Sequence, residues 1–455
     1  MGLKVEAVSE PAVAPASGGA LAHLGALETL ERLRAGTRSC TQLIADCRAR
    51  IAARDAALQA WEALLPAAAA LSSARERDAA LTAGGASGAL HGLAVGIKDI
   101  IDTADLPTEY GSPIYRGHRP GRDARCVSLL KAAGAIVIGK TVTCEFANYP
   151  PSRTRNPYDP DRTPGGSSSG SAAAVADGHV AVALGTQTAG SIIRPAAFNG
   201  VIGFKPSYSR YARDGVLPLA PSLDTLGFFV RRMEDLALVD GVLSTRPAAA
   251  PAVRGAAAPV IALARAPWSE RAEPAMQQAL EDAAARLRAA GAEVAELELP
   301  ASFAEVIVAQ EVIFAGEAAR GFARELREHG ELIGAEMRER LLIPGAKVSD
   351  AQLEEARQSL AGARTQFSRV MRGVDVLLTP AAPGEAPGRS STGDPIFNRA
   401  WTALHVPCLC FPVGLGPHGL PLAVQVVGRL EEDEALLAHA TWMAANALRA
   451  VVPRS

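Results

Sequence analysis

An α/β fold is predicted, and three features of the chain predict it. Short apolar runs of strand length recur at 90–101, 135–140, 180–184, 201–204, 260–263, 374–380 and 419–427, and runs of that size read as buried strands. Between them lie segments with three- and four-residue apolar steps or dense helix formers, at 67–82, 123–134, 172–176 and 273–372. The stretch 163–209 then sets two serine-bearing turns beside regular elements, and ligands of open α/β sheets gather at such turns. Length alone allows about two to three domains. Apolar residues at 48 % can fill a large core.

In chain order, residues 1–19 lack a basic segment followed by an apolar one, and Glu6 and Glu10 interrupt them. They read as a disordered leader rather than a signal peptide. From 21 to 64 the pattern is helical, with Leu24, Leu27, Leu30 and Leu33, then Leu43, Ile44, Cys47 and Ile51. Residues 36–39 break it into two helices, with Ser39 or Thr41 as cap. Another helix over 67–82 stops at Gly84 and Gly85. The strand at 90–101 carries Lys98, and Asp99 beside it is given a structural role. Lys140, ending the strand at 135–140, is expected in solvent or at the sheet end. The turn-rich loop 207–224 holds Arg210, Tyr211 and Arg213, and serves either as a gate over a site or as an exposed basic loop. Residues 246–259 are Ala/Pro-rich and read as a linker,. Within the helix-rich stretch that follows, 306–314 and 337–343 are candidate pocket walls or plain helix core. A buried strand at 374–380, a Gly/Pro/Ser loop over 381–395 and a helix from Asp433 complete the chain. His405 is expected to be a satisfied core histidine.

The chemistry concentrates in 163–209. Gly165 and Gly166 precede Ser167 to Ser171, and Ala172 to Ala176 continue as a helix whose free N–H groups point back at the loop,. The second turn, G-T-Q-T-A-G-S over 185–191, ends on Ser191. The G-G-S-S-S-G-S start, the Gly190-Ser191 pair and the closing G-F-K-P resemble the amidase signature family. The spacing of 24 residues between Ser167 and Ser191 (191 − 167) matches that family's. The resemblance spans about 20–450, strongest at 90–230 and weakest at 255–370. It implies a mixed central β-sheet flanked by helices on both faces. It also implies one domain over 20–455, with a core at 90–240, a variable pocket region at 255–370 and closing sheet elements at 374–430.

It further implies a Ser–cis-Ser–Lys triad: Ser191 as nucleophile, Ser167 as the linking serine and Lys98, in a G-x-K-D setting, as base. Serine hydroxyls need such a base, and a lysine serves only when burial lowers its pKa. The backbone N–H groups of Thr188, Ala189, Gly190 and Ser191 would form the oxyanion hole. Many members carry Asp four residues before the nucleophile and Arg two after it. This chain has Gln187 at −4, Ile193 at +2 and Arg194 at +3. Gln187, Arg194 and Arg210 are therefore the candidate substrate contacts, Arg194 for a carbonyl or carboxylate.

Other motifs fall away. Residues 166–170 fit G-x-S-x-G, but that elbow needs a preceding strand, and 157–164 holds Pro157, Pro160 and Pro164,. No G-K-[ST] closes a phosphate loop. Ser128 to Lys131 fit S-x-x-K without its companion motifs. The 46 basic against 48 acidic residues argue against nucleic-acid or polybasic membrane binding,. Six scattered cysteines read as reduced cytoplasmic thiols,. The eight histidines show no metal spacing, so neither metal nor cofactor is expected. Abundant Ala and Arg suggest a bacterial source.

The expected function is cytoplasmic hydrolysis of C–N bonds in small or aryl amides and anilides, with carbamates (urethanes) within reach. The expected partners are that small molecule and, at most, a second copy of the chain. Two alternatives stand beside it: a glutaminase-like subunit of a tRNA-dependent amidotransferase, and a non-catalytic binding protein on the same fold.

Overall fold

The computed structural model describes residues 24–85, 88–244 and 258–451. The leader expected at 1–19 lies outside the described residues, as does nearly all of the linker expected at 246–259. Eleven strands are present among the described residues: β1 Trp61–Leu64, β2 Ala94–Lys98, β3 Ile136–Thr141, β4 Val182–Gln187, β5 Ile202–Lys205, β6 Thr225–Val230, β7 Val260–Arg265, β8 Glu293–Glu298, β9 Val376–Pro380, β10 Cys408–Leu415 and β11 Pro421–Val427. They form one sheet in the order β1-β3-β2-β4-β6-β5-β10-β11-β9-β7-β8. Strands β3, β2 and β4 run parallel, as do β9, β7 and β8, and the remaining pairs are antiparallel. The sheet is therefore mixed. Every residue of β2, β3, β4, β5, β6, β9 and β11 is buried. Neighbouring strand residues face opposite sides, so both faces are covered.

The helices follow local rules where the sequence states them. Ser39 caps Cys40–Leu58 in a reciprocal capping box with Gln42,. Helix Ala67–Thr82 has the predicted bounds. In four places tertiary contacts override the local pattern. The second helix ends at Leu58, and Gln59 turns left-handed at φ 56°. Trp61 then enters the sheet edge, where its indole N–H donates to Nδ1 of His179 at 3.0 Å. Residues 185–187, expected in a turn, extend β4 and pair with β6. Gly185 permits this, because a Cβ there would lie 2.6 Å from Phe229. Inside the stretch expected to be helical, β8 forms the far edge beside β7, its exposed glutamates alternating with half-buried Val294 and Leu297.

The fourth departure is Lys140, which is buried rather than solvated. It sits 3.0 Å from Asp99 and donates to Thr108 Oγ1 and the Pro107 carbonyl. Burial pushes the Asp99 carboxyl up to about 6 and pulls the Lys140 ammonium down. Asp99 also accepts the Glu109 N–H at 3.1 Å. Its role is structural, and its partner is Lys140 rather than Lys98.

Candidate active site

The glycine-serine stretch folds as it does because its residues are small. Ser169–Ala176 forms a helix buried from Ser169 to Val175. It packs so closely on β3 that a Cβ on Gly170 would lie 2.3 Å from the Ala60 carbonyl oxygen and 2.4 Å from the Val142 nitrogen. Ser171 reaches between strands, donating to the Leu184 carbonyl at 2.8 Å and contacting Thr141 Oγ1 at 2.6 Å. Gly170→Ala should therefore lower stability by about 1–3 kcal/mol through overpacking, which a denaturant melt will read.

At the loop before this helix the Gly166–Ser167 peptide is cis. Both flanking carbonyls are held. Arg194 Nη2 donates to the Gly166 carbonyl at 2.8 Å, and the Cys144 N–H donates to that of Ser167 at 3.2 Å. Lys98 ends β2 with its side chain fully buried. Its Nζ lies 2.8 Å from Ser167 Oγ and 2.9 Å from Thr186 Oγ1. Burial brings the amine down to about 7, against a weaker upward pull from Cys144 and Asp224. No sequence motif singles out Thr186. The signal that could have found it is register: Ile97 lies beside Leu184 in the parallel β2–β4 pair, which brings Lys98 level with the residues just after it.

Ser191 sits at the foot of the helix Ile193–Asn199, 8 % exposed. Among the described residues, the backbone N–H groups of Ala189, Gly190 and Ser191 have no hydrogen-bond acceptor. Thr188 donates from Oγ1 to Asp224 at 2.6 Å. Asp224 also takes the Leu219 and Ala220 N–H groups at 2.8 and 3.0 Å, and burial raises it to about 6.

The three candidate substrate contacts are placed differently from one another. Gln187 is wholly buried. Its Oε1 accepts the Ile192 and Ile193 N–H groups at 2.8 and 3.0 Å, and its Nε2 donates to Thr402 Oγ1 at 2.9 Å. It satisfies the first turn of a helix, the job an anionic side chain often does, so it is not positioned as a substrate contact. Arg210 is not at the site either. Its guanidinium holds Asp240 through two bonds of 2.8 and 2.7 Å and Glu434 at 2.7 Å. Tyr211 donates to the same Asp240 at 2.6 Å, which pins the 207–224 loop in place and removes its role as a gate. Arg194 is 5 % exposed, with Nη2 also on Thr392 Oγ1 at 3.1 Å and a buried Nε lacking a partner. Among the described residues no carboxylate pairs with it.

His405 is half-buried and stacked on Tyr208, with centroids 4.1 Å apart. Its Nε2 lies 2.8 Å from the Ser222 carbonyl and 3.0 Å from Arg364 Nη2. Burial and Arg364 hold it down to about 3, so it stays neutral. Cys144 floors a cleft of about 500 Å³ bounded by Glu109, Arg116, Ser152 and Leu332. Among the described residues there is no cluster of His, Cys, Asp and Glu able to hold a metal ion.

A single mixed sheet carrying a buried lysine–serine pair under a glycine-rich serine loop defines an amidase-signature protein. The chain belongs to the Amidase family, whose profile matches residues 42–437. It is 36 % identical to the GatA-type chain of a glutamyl-tRNA(Gln) amidotransferase from Anaeromyxobacter sp. (strain K), over 92 % of this chain and 95 % of that one. A peptide amidase from Stenotrophomonas maltophilia superposes with a TM-score of 0.81 at 30 % identity, covering 95 % and 99 % of the two chains. A solved amidase gives a TM-score of 0.84 at 31 % identity, covering 93 % and 100 %. No described helix is long and apolar enough to cross a membrane.

Proposed function

We propose that the protein is a serine amidohydrolase that cleaves linear amides, anilides or carbamates through an acyl-enzyme. The observation that carries this reading is the buried Lys98 amine at 2.8 Å from Ser167 Oγ. A neutral amine has two N–H donors and one lone pair. Spending one N–H on Thr186 leaves the lone pair free to accept the Ser167 hydroxyl proton. Ser191 Oγ then attacks the substrate carbonyl carbon as its proton passes to Ser167 and the Ser167 proton passes to Lys98. The negative oxygen of the tetrahedral intermediate is met by the N–H groups of Thr188 to Ser191. The proton returns through Ser167 to the leaving nitrogen, the C–N bond breaks, and water hydrolyses the ester by the same relay. The six cysteines, all free and buried, suit the reducing cytoplasm.

Arg194, a buried cation without a carboxylate partner among the described residues, is the proposed contact for a polar or anionic acyl group. Arg194→Ala should raise KM about tenfold for substrates with such a group, the scale of one charge-assisted hydrogen bond. KM for apolar acyl groups should barely move. A uniform loss of stability and activity would instead mark the residue as a support for the Gly166 carbonyl.

The deciding experiment measures amine release from an aliphatic amide, an anilide, a carbamate and glutamine, with Ser191→Ala as control. Turnover of one of the first three, lost in the variant, is expected. No release from any, with no labelling of Ser191 by a serine-directed probe, favours the binding-protein reading. The likeness to glutamyl-tRNA(Gln) amidotransferase chains supports a second reading, a glutaminase-like component of such a complex. Its mark would be glutamine as the preferred substrate and co-purification with partner proteins.

A further inference from the structure

We propose that Gln310 and Thr402 are positioning residues that aim the Ala189 and Gly190 N–H groups at the substrate carbonyl oxygen. The inference rests on the acyl-enzyme reading above and extends it to two residues far away in sequence. Gln310 is a fully buried polar residue on the helix Phe303–Gly321, and its Nε2 donates to the Thr188 carbonyl at 3.3 Å. Thr402 lies on the helix Ile396–Ala403, and its Oγ1 donates to the Ala189 carbonyl at 2.8 Å. The Asn398 carbonyl is farther from that hydroxyl, at 3.1 Å.

In a planar trans peptide the C=O and N–H point in opposite directions. Pulling the Thr188 carbonyl toward Gln310 turns the Ala189 N–H away from that helix. Pulling the Ala189 carbonyl toward Thr402 turns the Gly190 N–H away from the other. Those N–H groups are the ones left without acceptors among the described residues. Two further contacts remove the remaining freedom. Thr188 Oγ1 is tied to Asp224, and Gln187 Nε2 donates to Thr402 Oγ1, fixing the side of the hydroxyl from which its proton leaves. Gly190 has no room to shift. A Cβ on it would lie 2.6 Å from Asn398 Oδ1 and 3.0 Å from Pro395 Cβ. The support is therefore built from two helices that belong to the later half of the chain, while the donors belong to the serine turn.

Oxyanion donors act on the transition state more than on bound substrate. Their misalignment therefore lowers kcat and spares KM. The test uses Thr402→Val, Thr402→Ser and Gln310→Leu in the full chain, assayed with the best substrate of the amide panel. Thr402→Val should lower kcat about 100-fold, the scale of one lost donor, with KM within about twofold. The rise of activity through pH about 7 should stay in place, because Lys98 is untouched. Thr402→Ser keeps the hydroxyl and should restore most of kcat. Gln310→Leu, on a separate helix, should lower kcat about tenfold; it carries the test if Thr402→Val does not fold. Wild-type kcat in both Thr402→Val and Gln310→Leu, or equal losses in Thr402→Val and Thr402→Ser, would overturn the proposal while leaving the acyl-enzyme reading intact. Absence of wild-type turnover and of Ser191 labelling would overturn both.

Discussion

Lys98→Met should lower kcat/KM by about 10⁴-fold, the scale seen when one member of a nucleophile–base unit is removed, and should leave the melting temperature equal or higher. The two effects have one cause. The amine is fully buried and makes its close contacts to neutral hydroxyls. Burial disfavours the ammonium and brings the pKa from 10.5 to about 7,. The unfolded chain therefore binds the proton more tightly than the native one. Stability rises with pH between about 7 and 10.5, and at neutral pH the lysine is a net cost to folding,. Methionine is similar in length and carries no charge to desolvate.

The same shift fixes the pH dependence of the wild type. A base must be neutral to accept a proton, so kcat/KM should fall about tenfold per unit as pH drops below about 7, where Lys98 is protonated,. Lys98→Arg should be as inactive as Lys98→Met at every pH, because guanidinium keeps its proton. A kinetic profile of wild type and both variants, with a thermal melt of each, checks the set. A Lys98→Met protein that keeps a tenth or more of wild-type activity, or that loses the acid limb without losing rate, would remove Lys98 from the base role.

The sequence and the structure agree where local chemistry decides and part where distant contacts do. The G-x-K-D strand end and the G-G-S loop are local statements, and the fold brings Lys98 and Ser167 within a hydrogen bond. Ser39 and Gln42 announce their capping box in four residues. Thr186 needed the register of two parallel strands. Asp224, Gln310 and Thr402 reach the serine turn from 36, 122 and 213 residues away, and no periodicity connects them to it. Gln310 did leave a trace, an amide in the otherwise mostly apolar run 306–314. Lys140 misled because a lysine at a strand end is usually solvated, whereas here Asp99 and Thr108 meet it inside the core. Arg210 misled in the same way, since its carboxylate partners stand 30 and 224 residues further on.

Gln187→Leu should destabilise the protein by about 3 kcal/mol and should also reduce kcat. In this chain a neutral amide stands where many family members carry an aspartate, and Ile193 stands where they carry an arginine. The exchange is self-consistent. Gln187 Oε1 still closes the first turn of the Ile193–Asn199 helix by accepting two N–H groups, and no carboxylate is left needing a counter-ion. Leucine would fill the volume but leave both N–H groups buried and unpaired, each costing about 1–3 kcal/mol. It would also free Thr402 Oγ1 from the donor that orients it, and with it the Ala189 carbonyl. Gln187→Glu separates the two effects. It retains the acceptor for Ile192 and Ile193 but cannot donate to Thr402, and it buries a charge with no partner. Thr402 would then turn its proton toward the carboxylate and release Ala189. The expected result is a larger fall in kcat than for Gln187→Leu at a given loss of stability, with the deficit easing at low pH as the introduced carboxyl takes up a proton. Equal stability of wild type and Gln187→Leu in a urea melt would show that the turn is held by contacts other than this amide.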